Sequence, residues 1–396
     1  MTKRICLILA FVLTIAVFTP IAYWYYSNSG DESDTPIFFG VSFGGETVSE
    51  AKLLIDKVKD YTNLFLVNSI SISTNETALN EVCEYAATAN LDFIVFFGYI
   101  SRIVYPWHQE WLDSAKERWG DNFIGVYLFD EPGGRQIDKG NWTEEMPGRE
   151  EIAIFFKNVS DYSDAANAYV SSISSQASVV DLEKRNISMF TSDYALYWFD
   201  YMAGYDTVFA ELAWNHSRPQ QIGLCRGAAN VQGKDWGTMI TWTYDQAPFL
   251  ANGTEILEDM IAAYEAGAKY IVVFNHPVYP ENNPYGVLTD DHFWALQTFW
   301  KYIHENPEDY GKSKDQVAFV LPKDYGWGMR WSNDSIYGFD SIWGLWPADN
   351  QSSVIWDKMN KLIENYGFTL DIVYEDPSYN YLDDYTEVYY WYSDIN

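Results

Sequence analysis

The chain has 396 residues and a formal charge of −31, with 56 acidic against 25 basic side chains. That balance argues against a nucleic-acid partner, because holding a phosphate backbone needs a basic surface that releases counterions, while the length is enough for one large domain with a smaller one beside it. Aromatic residues make up 18%, including 17 Trp and 31 Tyr, a surplus that core packing uses in part and that ring faces stacked on sugars explain as well.

At the start, Lys3 and Arg4 precede an uncharged run from Ile5 to Tyr26, long enough for a helix to cross a bilayer. It is longer than a typical signal-peptide core and has no good small-x-small cleavage site. Tyr23-Trp-Tyr-Tyr26 has the composition of an interfacial aromatic belt, with Asp31, Glu32 and Asp34 following it. By the positive-inside rule, residues 1–4 are a cytoplasmic stub, 5–26 a transmembrane anchor and 27–35 a linker, with the bulk of the chain outside the cell. A cleaved signal peptide and a secreted protein are the rival reading. Eight Asn-x-Ser/Thr triplets, opening at Asn75, Asn141, Asn158, Asn186, Asn215, Asn252, Asn333 and Asn350, agree with an extracellular glycoprotein.

From residue 36 onward, apolar strand-like runs alternate with helical patterns, the signature of a parallel sheet with crossover helices. Strands are expected at 37–43, 63–68, 92–99, 123–130, 187–192, 207–211, 238–244 and 270–275. Helices are expected at 48–61, 77–89, 108–119, 162–182, 196–202, 219–231, 255–266 and 291–305, several with one apolar face such as Ala51, Leu54, Ile55 and Val58. Eight such repeats make a (β/α)8 TIM barrel over 36–310 the economical α/β fold. Residues 311–396 then form a small βαβ unit: a strand at 317–321, a helix at 353–366 stopped by Gly367, and strands at 370–374 and 387–391. Between its first strand and its helix, residues 323–349 carry Trp327, Trp331, Trp343 and Trp346. That loop is either a lid over the barrel mouth or an adhesive between the two parts. Cys6, Cys83 and Cys225 are too few for a disulfide framework, and free thiols without a redox or metal role are expected.

The barrel assignment collects the residues at the strand ends around one mouth. They include Tyr99, Asp130, Glu131, Asp193, Tyr194, Glu211, Trp242, Tyr244, Asp245, Asn275 and His276, a set of carboxylates, rings and amides. No zinc spacing, phosphate-cradling glycine loop or nucleophile elbow is present, and no metal or cofactor is implied. Acids among rings suit cleavage of a glycosidic bond, which needs one carboxyl held protonated and one ionised. The run Phe123-Ile-Gly-Val-Tyr-Leu-Phe-Asp-Glu-Pro132 sets two acids at the end of a buried strand. Glu131 is the candidate acid, beside Asp130; Glu211 is the first candidate for its partner and Asp245 the second. A substrate-assisted scheme uses the same residues, with Asp130 orienting an acetamido group and Tyr244 bonding its oxygen. Tyr99, Asp193, Tyr194, Trp242, Asn275, His276 and, from the loop, Trp327 are the candidate sugar contacts. Arg226, inside a helix, is expected to tether that helix to a strand. A catalytically silent sugar-binding or cell-surface structural protein on the same barrel is the alternative to an enzyme, and the oligomeric state is not legible.

At these residues the chain resembles known barrel glycosidases. Asp130-Glu-Pro132 looks like the Asn-Glu-Pro that carries the acid/base glutamate in many retaining enzymes, with Asp130 in place of the Asn. The runs Arg226-Gly-Ala-Ala229 and Lys234-Asp-Trp-Gly-Thr-Met-Ile-Thr-Trp242 are similar to segments of glycoside-hydrolase-like barrels. The tail from Val317-Ala-Phe-Val-Leu-Pro322 resembles part of the flavodoxin-like domain that follows the barrel in some β-galactosidases, in shortened form. The resemblance implies an O-glycosyl hydrolase acting on an oligosaccharide or polysaccharide, with Glu131 as acid/base. On strand seven, where retaining relatives place a nucleophilic Glu, this chain has Tyr244 and Asp245.

Overall fold

A computed structural model describes residues 37–98, 100, 105–139, 159–277, 283–313, 317–330, 341–380 and 382–394. The expected membrane anchor at 5–26, Tyr99, Trp331 and the triplets at Asn141, Asn158 and Asn333 lie outside the described residues. No helix of the described residues is long and apolar enough to cross a membrane.

Eight parallel strands close into a barrel in sequence order: β1 (Phe38–Phe43), β2 (Leu64–Val67), β3 (Asp92–Phe97), β4 (Phe123–Leu128), β5 (Ser188–Asp193), β6 (Thr207–Leu212), β7 (Asp235–Ile240) and β8 (Tyr270–Val273). β8 closes on β1 with Phe38 opposite Tyr270. The barrel is filled, not hollow: Leu64, Leu66, Ile94, Tyr127, Phe190, Phe209, Met239, Tyr270 and Val272 form an inner cluster, as alternate residues of closed parallel strands must. The other face of each strand packs on the surrounding helices. Helix Val48–Val58 shows why these form. Thr47 and Glu50 make a reciprocal capping box, and Ala51, Leu54, Ile55 and Val58 are the buried stripe.

The structure corrects the sequence reading in places that matter for the site. β4 ends at Leu128, and Phe129 and Glu131 then take left-handed backbone, with φ of 56° and 51°. The two acids therefore sit on a sharp turn and not on the strand. β7 begins at Asp235 and ends at Ile240, because its register pairs Thr207 with Asp235 and Leu212 with Ile240. Trp242, Tyr244 and Asp245 consequently belong to the loop that follows. The helix expected at 162–182 is two, Tyr162–Ser174 and Ala177–Arg185, separated where Gln176 turns extended and its side chain donates to the Ser172 carbonyl. A helix that the sequence reading left out, Pro132–Lys139, follows the acids directly, with Pro132 at its first position where a missing N–H costs nothing.

Past the barrel, β9 (Val317–Leu321), β10 (Leu370–Tyr374) and β11 (Glu387–Tyr390) make a three-stranded parallel sheet in the order β10-β9-β11. Helix Arg218–Gln232 of the barrel lies against β10. The approach requires glycine: a Cβ on Gly223 would stand 2.5 Å from the Leu370 carbonyl oxygen, and one on Gly227 3.0 Å from that of Ile372. Between them Arg226 Nε pairs with Asp371 Oδ1 at 2.6 Å, both side chains buried, so Arg226 ties its helix to a strand as expected. The tryptophans of the connecting loop act as adhesive where they are described. Trp343 is fully buried against Phe199 and Tyr169, and Trp327 is 1% exposed beside Tyr325 and Trp356. Cys83 and Cys225 are free and buried.

Candidate active site

The turn after β4 is held by its neighbour strand. Glu131 N–H donates to the Ser192 carbonyl at 3.1 Å. Asp193, the last residue of β5, is completely buried, and its carboxylate accepts the N–H groups of Gly133 and Gly134 across the gap and of Tyr194 and Ala195 on its own loop. Four donors favour the ionised carboxylate and offset the burial that pushes its pKa up. Asp193 therefore anchors the start of helix Pro132–Lys139 and does not face ligand. Gly134 is needed because a Cβ there would lie 2.1 Å from the Tyr194 ring.

Glu131 and Glu211 line one cavity of about 490 Å³, together with Asp138, Tyr194, Trp214, Asn215, His216, Trp242, Thr243 and Arg330. Glu211, on β6, is 6% exposed and shares a hydrogen bond with Ser192 Oγ across 2.6 Å. Burial, reinforced by the charges of Glu131 and Asp130, holds its carboxyl well above the usual carboxylate range. Glu131 keeps 30% of its side chain exposed, and enclosure by protein together with the adjacent Asp130 carboxylate pushes it up to about 8. Arg135 works against that shift, with Nε 3.9 Å from Glu131 and Nη2 3.3 Å from Asp130 Oδ2. Asp130 also accepts from the Tyr127 hydroxyl at 2.7 Å. Two acids with a raised proton affinity thus face the same space, set among rings.

The remaining walls come from loops. Tyr194 OH donates to Asp138 at 2.8 Å, Arg330 pairs with the other oxygen of Asp138, and the Arg330 guanidinium lies 5.0 Å over the Tyr194 ring. His216 is held neutral, its pKa lowered to about 4 by burial and by the charges of Arg330 and Arg218. Trp214, Asn215, His216 and Thr243 are shared with a second cavity of about 570 Å³, which Tyr244 and Arg218 also line. The two cavities are neighbours along the β6 and β7 loops. Trp214, shared by both, is 44% exposed as a residue and has its φ at 46°, a backbone that a bulky residue adopts only under strain.

Of the residues expected from sequence, the first cavity brings together Glu131, Glu211, Tyr194 and Trp242, with Asp130 in contact through Tyr127 and Arg135. Tyr244 lies in the second cavity. Asp245 is exposed and lines neither. Asn275 is buried, accepts from the Val287 N–H and lines a separate cavity of about 230 Å³ beside β1. His276 packs against Trp242 and Phe274, which also touch each other. Trp327 is buried away from both cavities, whereas Arg330, three residues on, enters the first. Asp138, Trp214, His216 and Arg330 were not singled out from the sequence. The stretch Trp214-Asn-His216 between β6 and Pro219 carried a readable signal, being a polar and aromatic loop after a barrel strand. Arg330 carried none.

No protein-family model matches the chain, and no curated protein sequence is similar to it. Solved structures similar to it include an α-L-fucosidase from Paenibacillus thiaminolyticus, at 12% identity and a TM-score of 0.43, the match covering 72% of this chain and 52% of that one. The chain thus spans about half the length of that enzyme. An endo-α-mannosidase from Bacteroides thetaiotaomicron is similar at 11% identity and a TM-score of 0.40, covering 67% and 81%. A 3-deoxy-D-arabino-heptulosonate 7-phosphate synthase from Thermotoga maritima is similar at 10% and 0.38, covering 71% and 92%. Glycosidases and other barrel enzymes stand side by side at this distance, so function has to be argued from the site.

Proposed function

We propose that the protein is a glycoside hydrolase that cleaves an extended oligosaccharide or polysaccharide, with Glu131 as the proton donor to the leaving oxygen and Glu211 as its partner carboxylate. The observation that carries this reading is the pair Glu131 and Glu211 on one cavity walled by Trp214, Trp242 and Tyr194. Acetal cleavage needs a carboxyl that is still protonated near neutral pH, and the shift of Glu131 to about 8 supplies one. The second cavity, reached past Trp214, gives room for further sugar units. Asp245, away from both cavities, drops out of the scheme. The rings alone would also serve a silent sugar-binding protein, a reading favoured by the burial that raises the proton affinity of Glu211.

The test is hydrolysis of a panel of aryl glycosides and oligosaccharides by the full-length chain. Turnover that Glu131→Gln and Glu211→Gln each lower by about 10³-fold or more supports the enzyme. Binding of sugars without turnover supports the silent reading. An anchor at 5–26, an extracellular position and N-glycosylation are part of the proposal. They are supported by the Lys3/Arg4 flank and by the exposure of Asn75, Asn186, Asn215, Asn252 and Asn350. The small sheet is proposed as a shortened flavodoxin-like unit, supported by its parallel order around β9.

A further inference from the structure

Beneath Glu211 lies a run of oxygen contacts with more hydrogen bonds than hydroxyl protons to make them. Glu211 Oε1 and Ser192 Oγ are 2.6 Å apart, Ser192 Oγ and the Tyr127 oxygen 2.6 Å, and the Tyr127 oxygen and Asp130 Oδ1 2.7 Å. Each separation is a hydrogen-bond length and needs a proton between its oxygens. Ser192 and Tyr127 own one hydroxyl proton each, and an ionised carboxylate has none. With both acids ionised, one contact would set bare lone pairs against each other in a buried place, since Tyr127 is 0% and Ser192 1% exposed. The Ser192 N–H does not fill the gap, because it donates to the Tyr127 oxygen at 3.1 Å and lies between no other pair. A third proton on one end carboxyl completes all three contacts and makes them run in one direction.

We propose that Ser192 and Tyr127 are a proton relay through which Glu211 and Asp130 share a single proton. With that proton on Glu211, Glu211 donates to Ser192, Ser192 to Tyr127 and Tyr127 to an ionised Asp130. Transfer reverses all three bonds. The Glu211 proton passes to Ser192 Oγ, the Ser192 proton to the Tyr127 oxygen and the Tyr127 proton to Asp130 Oδ1. Three O–H bonds break and three form, and the pair keeps one negative charge throughout. At rest the charge sits on Asp130, where Arg135 faces it at 3.3 Å, and the proton on buried Glu211, which faces the carboxylates of Glu131 and Asp193. Asp138, His216 and Arg330 border the same cavity.

The catalytic meaning of the relay rests on the glycosidase reading, although the proton count does not. As positive charge develops on a sugar, Glu211 must become ionised. Passing its proton to Asp130 achieves this and removes the negative charge beside Glu131, so that Glu131 gives its own proton to the leaving oxygen more readily. Ser192 and Tyr127 are positioning residues here and need not touch the substrate.

Infrared difference spectroscopy of the full-length chain across a pH titration tests the relay without any substrate. A protonated-carboxyl band present at neutral pH and lost in Glu211→Gln is expected. Asp130→Asn shifts the midpoint of that band, and the shift shrinks when Tyr127→Phe or Ser192→Ala cuts the chain of hydroxyls. The two cuts are independent, so one that fails to fold leaves the other. A Glu211→Gln spectrum that loses no such band overturns the proposal, as does an Asp130→Asn shift of equal size with and without the hydroxyls, which is coupling through space. Failure of the glycosidase reading shows as absent turnover on the sugar panel and leaves the infrared result standing.

Discussion

Asp193 accepts the Gly134 N–H at 2.7 Å, and through this bond the end of β5 fixes the turn that carries Asp130 and Glu131. The turn is strained at Phe129 and Glu131, and strained backbone persists only where its surroundings hold it. Asp193→Ala removes the acceptor of four N–H groups in a fully buried place. A loss of stability on the order of 3 kcal/mol is expected, because hydrogen bonds to charged groups count for about 1.5–3 kcal/mol each and the orphaned donors stay dry. Urea unfolding measures it. A loss below about 1 kcal/mol would mean the turn holds itself.

Stability should fall as pH rises toward 8. Glu131 is pushed up to about 8 from an ordinary value of 4.5, and Glu211 is raised as well. Between the unfolded and folded values the native state binds more protons than the unfolded chain, so the slope of unfolding free energy with pH is negative. The stabilisation is therefore complete below about pH 4.5 and is lost as pH climbs through the folded pKa of Glu131. Glu211→Gln, which cannot ionise, should flatten the slope and gain about 1–2 kcal/mol at pH 8. Melting temperatures across pH 7–8.5 check this, above the window in which the buried neutral histidines His108 and His216, lowered to about 4 in the folded state, add stability with rising pH; a wild-type protein that gains stability between pH 7 and 8.5 contradicts it. The basic limb of any hydrolytic pH profile should carry the same Glu131 value.

Much of the barrel is legible in the sequence because a strand buried on both faces reads as a continuous apolar run, as in Asn63-Leu-Phe-Leu-Val-Asn68. β7 is less so. It opens on a charged Asp235 and contains Gly237, whereas Thr241-Trp-Thr-Tyr244 just beyond has the stronger strand composition. Its register on β6 is a tertiary fact. The site divides along the same line. Glu131 and Glu211 follow from their places just past strand four and near the end of strand six, but Arg330 reaches the cavity from a distant loop, and no local pattern marks which way a loop turns.

Trp214 separates ligand binding from stability. Its φ of 46° costs a bulky residue about 1–3 kcal/mol, while the residue is exposed and gives up little packing when its ring is removed. Trp214→Gly should therefore be as stable as the wild type or up to about 1 kcal/mol more so. The same change removes the ring between the two cavities and should weaken binding of long oligosaccharides about tenfold, with single sugars affected less. Calorimetric titration with chains of increasing length, beside thermal melts, reads both. Loss of stability by 2 kcal/mol or more would show that the ring is a packing residue.

The barrel and the small sheet should unfold as one unit, and the Arg226–Asp371 pair is where this can be tested. Arg226 donates to Asp371 at 2.6 Å, to the Ser313 carbonyl at 3.1 Å and to the Leu370 carbonyl at 3.3 Å, and Asp371 also accepts from Tyr385 at 2.9 Å. Both side chains are buried, so removing one strands the other's charge, at a cost of about 3–5 kcal/mol. Asp371→Leu and Arg226→Met should each lower the unfolding free energy by that much, read as a lower urea midpoint. The double substitution should recover part of the loss, because two apolar groups leave no buried charge behind. If sheet and barrel were independent, either single change would split the transition in two, with far-ultraviolet circular dichroism and tryptophan fluorescence following different curves. Coincident curves in all three variants are expected, since Gly223 and Gly227 let the helix of Arg226 lie directly on β10.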